Sequence, residues 1–442
     1  MGTTATVMID GTDVTALAVE GSVTKRLNNV SQSSARFHMK GIFDLLGTSV
    51  VPGMYVKVYF DTGAGDVLYH HGRIMNSETT ADEDGGYVVV NSADPLELWK
   101  WRPVRDPGPD FTSSCGTSAP VGHEAGDFSK PQLISDFVRG PQIVEAMCFA
   151  SENISLGSDD AEGPLFLDLS SGTFECGGAD LRGAPKDWPM TMMELASILT
   201  STGELDVVCQ PIEFDFAGNY GELSAYNGGF GTDRTASVIF SYGMNAYNVR
   251  ALRWNTDMSD LCNKLWYFLG PKCDDQHWPA NVQAQADFSD CDCCNDPACD
   301  PCNDIRDSIV ALQGTDAGLP GDSRGDFGVR MDIKIFDAQG DTTGPCAEGN
   351  VDGYCLFKNQ WLREAFIRLK PRQIVHVTPT RDTAIGTFDI GDLITVEATT
   401  DVNGGFSGAQ RVYSYTVSWD AEESVPAIGE LQVSSDQENF GA

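Results

Sequence analysis

Apolar and polar residues alternate with a period of two through most of the first hundred positions, the signature of strands with one buried face. The runs V-M-I-D before the turn at Gly11, A-R-F-H-M, M-Y-V-K-V-Y-F and G-Y-V-V-V-N each read as one such strand. Tyr55 to Phe60 run into D-T-G-A-G-D, and D-V-L-Y-H-H-G-R-I-M follows, so the pair predicts a hairpin over a glycine-rich turn. D-E-D-G-G at 82–86 supplies the next turn. Residues 93–105 (A-D-P-L-E-L-W-K-W-R-P-V-R) leave the strand pattern as a short turn, and P-V-R-D-P-G-P-D cannot continue regular structure. A domain boundary near residue 105 follows.

The texture changes over 106–235, where Gly, Ser, Asp and Pro dominate as far as Lys186, with one short helical candidate at 131–147. A second helix is well marked. Thr191 and Glu194 form the T-x-x-E capping box, Met192, Leu195, Ala196 and Leu199 share one face, and Gly203 can close it. A strand at 205–210 comes next. After Ser237 the strand pattern returns with S-V-I-F-S-Y, V-R-A-L-R-W and N-K-L-W-Y-F-L-G, is interrupted at 271–325, and resumes at V-R-M-D-I-K-I-F. A helix is predicted at 359–369, stopped by Pro371, and the chain closes with I-V-H-V-T, L-I-T-V-E-A, R-V-Y-S-Y-T-V-S-W and I-G-E-L-Q-V. No repeat of 20–50 residues is visible, which disfavours a solenoid or a propeller. The fold class is therefore mainly β with an α+β insert: a β unit at 1–105, the insert at 106–235, and a second β unit at 236–440 carrying a cysteine-rich insertion at 271–325.

Composition narrows the function classes. A chain of 442 residues has room for two or three domains, and 41% hydrophobic with 10% aromatic residues matches a folded protein. Sixty-four acidic against 29 basic residues give a net charge of -35, a field that repels phosphate backbones and argues against specific nucleic-acid binding. No stretch approaches the roughly 20 apolar residues of a membrane helix, and M-G-T-T-A-T-V-M-I-D lacks the charged-then-apolar order of a secretion signal. A soluble protein without a membrane segment is expected.

Seven of the thirteen cysteines fall between Cys262 and Cys302. In C-D-C-C-N-D-P-A-C-D-P-C, Cys291 with Cys294 and Cys299 with Cys302 make two C-x2-C pairs, with Cys293, Cys273 and His277 nearby. Two thiolates from one tight turn can reach the same ion, so four could hold zinc or an iron–sulfur cluster and staple a loop with little core of its own. The four-residue spacer is much shorter than the roughly 15–20 residues of a zinc ribbon, and disulfides formed in an oxidising exterior, or free thiols, are the competing readings. Cys346 and Cys355 form a separate candidate disulfide. The interleaved Asp290, Asp292, Asp296, Asp300 and Asp304 read as solvated charges, since no D-x-[DN]-x-[DN]-G loop is present.

Catalytic constellations are missing. None of the six histidines, His38, His70, His71, His123, His277 and His376, belongs to an H-E-x-x-H or H-x-H motif, and there is no G-x-S-x-G elbow or G-x-x-x-x-G-K-[ST] loop. A non-enzyme is expected. Trp99, Trp101, Trp254, Trp266, Tyr267, Trp361 and Trp419 sit mostly inside strand or helix patterns and read as core or subunit-interface packing rather than sugar platforms.

The opening I-D-G-T-D-V-T-A-L-A-V-E-G-S-V-T-K-R-L-N resembles the start of minor tail proteins of actinobacteria-infecting long-tailed phages. F-D-I-G-D-L-I-T-V-E-A followed by G-F-S-G-A-Q-R-V-Y-S-Y-T-V-S-W resembles the last barrel of tail-tip, or baseplate, hub proteins, in which a G-D-x-[IV] turn precedes a strand. The order of elements, with W-P-M-T-M-M-E-L-A-S-I-L in the insert and an N-K-L-W-Y strand, resembles that family over nearly the whole chain except 271–325. The resemblance implies two tube-type β-barrel hub domains per subunit, alternating in a homotrimer as a pseudo-sixfold ring. It also implies a virion tail-tip protein, assembled in the host cytoplasm, that joins the tail tube to the tip and contacts the distal tail protein, the tape-measure protein and other tip proteins. Its lumen would be gated and then passed by DNA without specific binding; three copies carry -105, three times the charge of one. The alternative is a peripheral receptor- or glycan-binding tail protein, with a wall hydrolase third.

Overall fold

The computed structural model describes residues 5–63, 65–81, 86–108, 110–118, 140–153, 164–177, 190–200, 205–243, 248–257, 259, 372–399, 405–420 and 426–434, with the backbone of short strands at 264–269, 282–283 and 331–336. Strands and turns fill the first hundred residues: β1 (Ala5–Ile9), β2 (Thr12–Asp13), β3 (Ala18–Arg26), β4 (Gln32–His38), helix α1 (Met39–Leu46), β5 (Tyr55–Asp61), β6 (Asp66–Thr80) and β7 (Tyr87–Ala93). The predicted hairpin forms with Asp61 opposite Asp66. A short 3-10 helix, Pro95–Lys100, is capped by the Asp94 side chain, which accepts from the Leu96 N–H. In the middle of the chain come α2 (Gly140–Asn153), β8 (Leu167–Asp168), α3 (Met192–Thr200), β9 (Asp206–Pro211) and β10 (Gly221–Tyr226). The remainder supplies β11 (Ile239–Tyr242), β12 (Val249–Asp257), β13 (Lys264–Leu269), β14 (Val282–Gln283), β15 (Met331–Phe336), β16 (Arg372–Pro379), β17 (Leu393–Ala398), β18 (Phe406–Asp420) and β19 (Ala427–Ser434).

Strands from both ends of the chain join one thirteen-stranded sheet, in the order β12-β16-β19-β18-β3-β4-β7-β6-β5-β1-β2, with β17 on β18 and β11 beyond it. All pairs in this sheet are antiparallel except β11 with β17. The fifteen-residue β18 is the strand that joins the ends. One of its edges pairs first with β17, over Phe406–Arg411, and then with β3, over Ser414–Asp420, while β19 takes the other edge.

Period-two burial sets the register. Val23 on β3, Phe37 on β4, Val56, Val58 and Phe60 on β5, Val88 and Val90 on β7, and Tyr415 and Val417 on β18 all face one core. That core also holds Val375, Val377, Ile394, Leu431 and Val433, so the two ends share it. Each fully buried side chain of this kind contributes about 1.5–3 kcal/mol, and a one-residue slip would expose the whole set. Gly21 lies opposite Trp419 and is required there: a Cβ at position 21 would come within 2.1 Å of the indole.

A second core is built from the insert. Leu96, Trp99, Ile143, Met147, Leu165, Met192, Leu195, Leu205 and Leu223 fill it around α2, α3 and the small sheet β8-β10-β9. The predicted α3 forms with its capping box in place: the Glu194 N–H donates to Thr191 Oγ1 at 3.2 Å and the Thr191 N–H to Glu194 Oε2 at 2.6 Å. Met192, Leu195, Ala196 and Leu199 are buried, as their spacing requires. The helix expected at 131–147 begins at Gly140 in the described residues and runs on to Asn153. Cys115 and Cys176 are joined in a disulfide across 61 positions, tying the start of the insert to the segment that follows β8.

Candidate functional site

The face of the large sheet turned away from the core is only partly covered near its middle, where Ser22, Thr24, Ser34 and Asn91 are half-buried and Gln32 and Asn76 exposed. Cross-strand pairing sets its side chains in rows, because every second residue of adjacent strands points the same way. Ser418, Ser22, Ser34, Asn91 and Asn76 stand opposite one another across β18, β3, β4, β7 and β6. The next row holds Thr416, Thr24 and Gln32. Neighbours within these rows bond to one another: Thr24 and Thr416 share a hydroxyl contact of 2.9 Å, and the Asn91 amide donates to Asn76 at 2.6 Å. Two grooves of about 430 and 450 Å³ lie along this face. The smaller is lined mostly by hydroxyl and amide groups, among them Ser22, Thr24, Gln32, Ser34, Asn76 and Asn91, together with Met75 and the carboxylate of Glu97. Charges stand toward the ends: Glu97 in the smaller groove, and Glu20, Arg36, Arg250, Arg381 and Asp420 along the larger. Glu20 and Arg36 form an ion pair at 3.2 Å.

Behind this face, a buried charge cluster locks the insert to the sheet where β3, β9, β17 and β18 meet. Arg411 of β18 grips Asp206 of β9 with both terminal nitrogens, Nη2 to Oδ2 at 2.5 Å and Nη1 to Oδ1 at 3.3 Å, and both side chains are buried. Arg411 also donates to the carbonyls of Phe230 and Gly391, while Asp206 accepts from the Phe230 N–H and the Asn28 amide. Asn28, left-handed at φ 61°, completes the junction by accepting from the Val207 N–H at 2.6 Å. The G-D-L turn before β17 has a physical role here. Asp392 accepts from the backbone N–H groups of Thr232 and Asp389 and from Arg234 Nε at 2.7 Å, fixing the loop that covers Arg411. With four acceptor contacts on the Asp206 carboxylate and four of the five Arg411 N–H groups bonded, a buried ion pair can be kept without a large desolvation penalty.

Two consecutive histidines, His70 opposite Val58 and His71 opposite Lys57, point to opposite faces of β6, and both are buried because the sheet is covered on both sides here: His70 faces Ser92 of the sheet and His71 faces Ile212, Phe214 and Tyr220. His70 Nε2 bonds the Ser92 hydroxyl at 2.8 Å, and burial pushes its pKa down to about 3. His71 donates from Nδ1 to the Ile212 carbonyl at 2.7 Å; burial holds its pKa down, to about 4, partly offset by that bond. Both rings are neutral at physiological pH and serve packing between sheet and insert. Asp94 lines a small cavity together with these two histidines and is pushed up to about 7 by burial against the pull of the Ser31 and Leu96 N–H donors. Lys25 and Tyr415 hold Asp389 by contacts of 2.8 and 2.9 Å.

The sequence-predicted ligands Cys291, Cys294, Cys299 and Cys302 lie outside the described residues, as do Cys346, Cys355 and the helix expected at 359–369. Among the described residues no group of three or more His, Cys, Asp or Glu side chains is placed to hold a metal ion, and no helix is long and apolar enough to cross a membrane. His38 and His376 occupy strand positions, His376 bonded to Glu430 at 2.8 Å. Trp99 and Trp419 are buried and Trp254 packs on the core, whereas Trp101 is 73% exposed and is not core. The Asp206–Arg411 lock and the Cys115–Cys176 bridge were not read from the sequence. The one available signal was a charged residue at the head of L-D-V-V-C and inside Q-R-V-Y, stretches otherwise fit for burial.

No protein-family model and no curated protein sequence matches the chain. Two solved structures share its fold. The 43 kDa tail protein of prophage MuSo2 from Shewanella oneidensis aligns with a TM-score of 0.51 at 14% identity, covering 99% of this chain and 100% of that one. The tail protein from Neisseria meningitidis MC58 aligns with a TM-score of 0.52 at 9% identity, covering 99% and 97%. The chain therefore has the mainly β fold of these two tail proteins from end to end.

Proposed function

We propose that the chain is a non-enzymatic structural hub of a phage tail tip, three copies of which surround a common axis with the grooved polar face turned to the lumen. The ends of the chain act in this reading as two related tube-type barrels, joined through β18 and β3. The observation that carries the proposal is the combination of an end-to-end tail-protein fold with a sheet face whose central rows are hydroxyl and amide groups, with charged residues toward the ends. Such a face suits a passage. Phosphate backbones are held chiefly by arrays of Lys and Arg that release counterions, and rows of Ser, Thr, Asn and Gln offer none. Non-adhesion at the middle of the wall then comes from neutral groups, with the net charge of -35 acting at longer range. The hub would join the tail tube to the tip, gate the lumen, and let the tape-measure protein and then DNA pass.

Mass photometry of the purified chain and of tips released from particles tests this. Threefold stoichiometry in the assembled species is expected; a stable monomer within assembled tips would overturn the proposal.

A further inference from the structure

Both ends of the Cys115–Cys176 bond are positioned by hydrogen bonds of their own. Cys115 sits in a turn closed on itself, the Ser113 N–H donating to the Thr117 carbonyl at 2.9 Å and the Thr117 N–H to Ser113 Oγ at 3.1 Å. Glu145 of α2 ties that turn down, accepting from the Ser114 N–H at 2.8 Å and from its hydroxyl at 3.0 Å. The Cys176 segment is fixed to β10 instead. The Ala225 N–H donates to the Thr173 carbonyl at 2.8 Å, the Glu175 N–H to the Ala225 carbonyl at 3.1 Å, and the Asn227 N–H to the Glu175 carboxylate at 2.8 Å. Ile143 of α2 and Leu223 of β10 share one core, so the two sulfurs stay close to each other with the bond open.

The bond also faces solvent. Cys176 is exposed and Cys115 half-buried, whereas the free thiols of Cys148 and Cys209 are buried and pushed up by that burial, so neither competes as a thiolate. An incoming thiolate reaches Cys176 Sγ more easily than its partner, which makes Cys115 the leaving group. Charge selects among such thiolates. Glu145 is bonded to Ser114, next to Cys115, and Glu175 directly precedes Cys176, in a chain of net charge -35. These carboxylates oppose the approach of an anionic thiol such as glutathione and favour a cationic one such as cysteamine.

We propose that Cys115–Cys176 is a reversible exchange site for small thiols, cationic in preference to anionic, whose opening loosens the insert and leaves the large sheet unchanged. The proposal stands apart from the hub reading. In the first step the incoming sulfur bonds to Cys176 Sγ, and the electron pair of the broken S–S bond leaves with Cys115 as a thiolate. A second small thiolate then attacks the adduct on Cys176, so two small thiols end as one disulfide and the chain holds two thiols. The test exposes the full-length chain, without denaturant, to cysteamine or glutathione at equal thiolate concentration; free thiols are blocked at intervals and the cysteines mapped by peptide mass spectrometry. Cysteamine should open the bond at least about fivefold faster than glutathione at low salt, the ratio falling toward one as salt is raised. The first adduct should sit on Cys176, and limited proteolysis within 110–177 should quicken in the opened form. Replacing the thiol by the disulfide of cysteamine should re-form the same pair. A bond that opens only in urea, equal rates for the two thiols at low salt, or re-closure of Cys176 onto the cysteines at 262–302 would overturn the proposal.

Discussion

Val23 and Val417 face each other across paired strands although nearly the whole chain separates them, whereas Ile143, Met147, Leu195 and Leu223 pack inside a unit drawn almost wholly from neighbouring sequence. The sheet core is wide, regular and held by period-two burial over thirteen strands. The insert core is small, irregular and bridged by a disulfide. The difference shows two routes to order. A long sheet gains its stability from apolar area repeated along many strands. A loop-rich unit with few strands depends on individual connections: one cross-link, one capping box, one ion-pair lock to the sheet. Single substitutions should therefore act unequally on the two.

Arg411→Met should have the largest effect, because it leaves Asp206 buried without its partner at the seam between the two regions. A loss of about 3–5 kcal/mol is expected in urea denaturation, with hydrogen exchange accelerated in both β9 and β18. Protection lost from one region only would mean that the cores are less coupled than the shared lock implies. Replacing Cys115 and Cys176 by serine comes next. A closed loop of 61 positions corresponds to about 4 kcal/mol of chain entropy, and the cost should fall on the insert: faster limited proteolysis within 110–177, with the sheet strands still protected. Equal loosening of β5 and β7 would erase the distinction between the regions. The smallest change is Thr191→Ala. Removal of the cap should cost about 1 kcal/mol, read as a drop in the insert's transition in differential scanning calorimetry, with the sheet transition unmoved.

The same contrast explains what could be read in advance. M-Y-V-K-V-Y-F, G-Y-V-V-V-N and R-V-Y-S-Y-T-V-S-W became β5, β7 and β18 because alternation is a local property that burial of one face enforces. Thr191 and Glu194 announced α3 because capping is settled within one turn. Pairing is not local: nothing near Val23 or Val417 indicates that they will meet, so the continuity of the two ends in one sheet could not be seen. Nor could the disulfide, since Cys115 and Cys176 sit in turn-rich stretches without periodicity to place them. The polar face was partly legible, as alternate Ser, Thr and Asn positions on predicted strands, but their rows appear only once the strands have partners. The four cysteines from Cys291 to Cys302 were the sharpest motif along the chain and fall outside the described residues, so the face and the lock now carry the functional reading.

Because β18 supplies the neighbour of β3, the ribosome must make some 390 further residues before that edge is covered, as the 392-residue separation of Thr24 and Thr416 shows. At about 5–20 residues per second the wait is roughly 20–80 s, during which the nascent N-terminal strands expose an unpaired border of the kind that recruits foreign strands. Its outward side chains in that interval are Glu20, Ser22, Thr24 and Arg26, charged or hydroxylated at every position, a composition that keeps a waiting edge from aggregating. The groups that make a quiet wall in the finished molecule thus also guard the chain while it is being born.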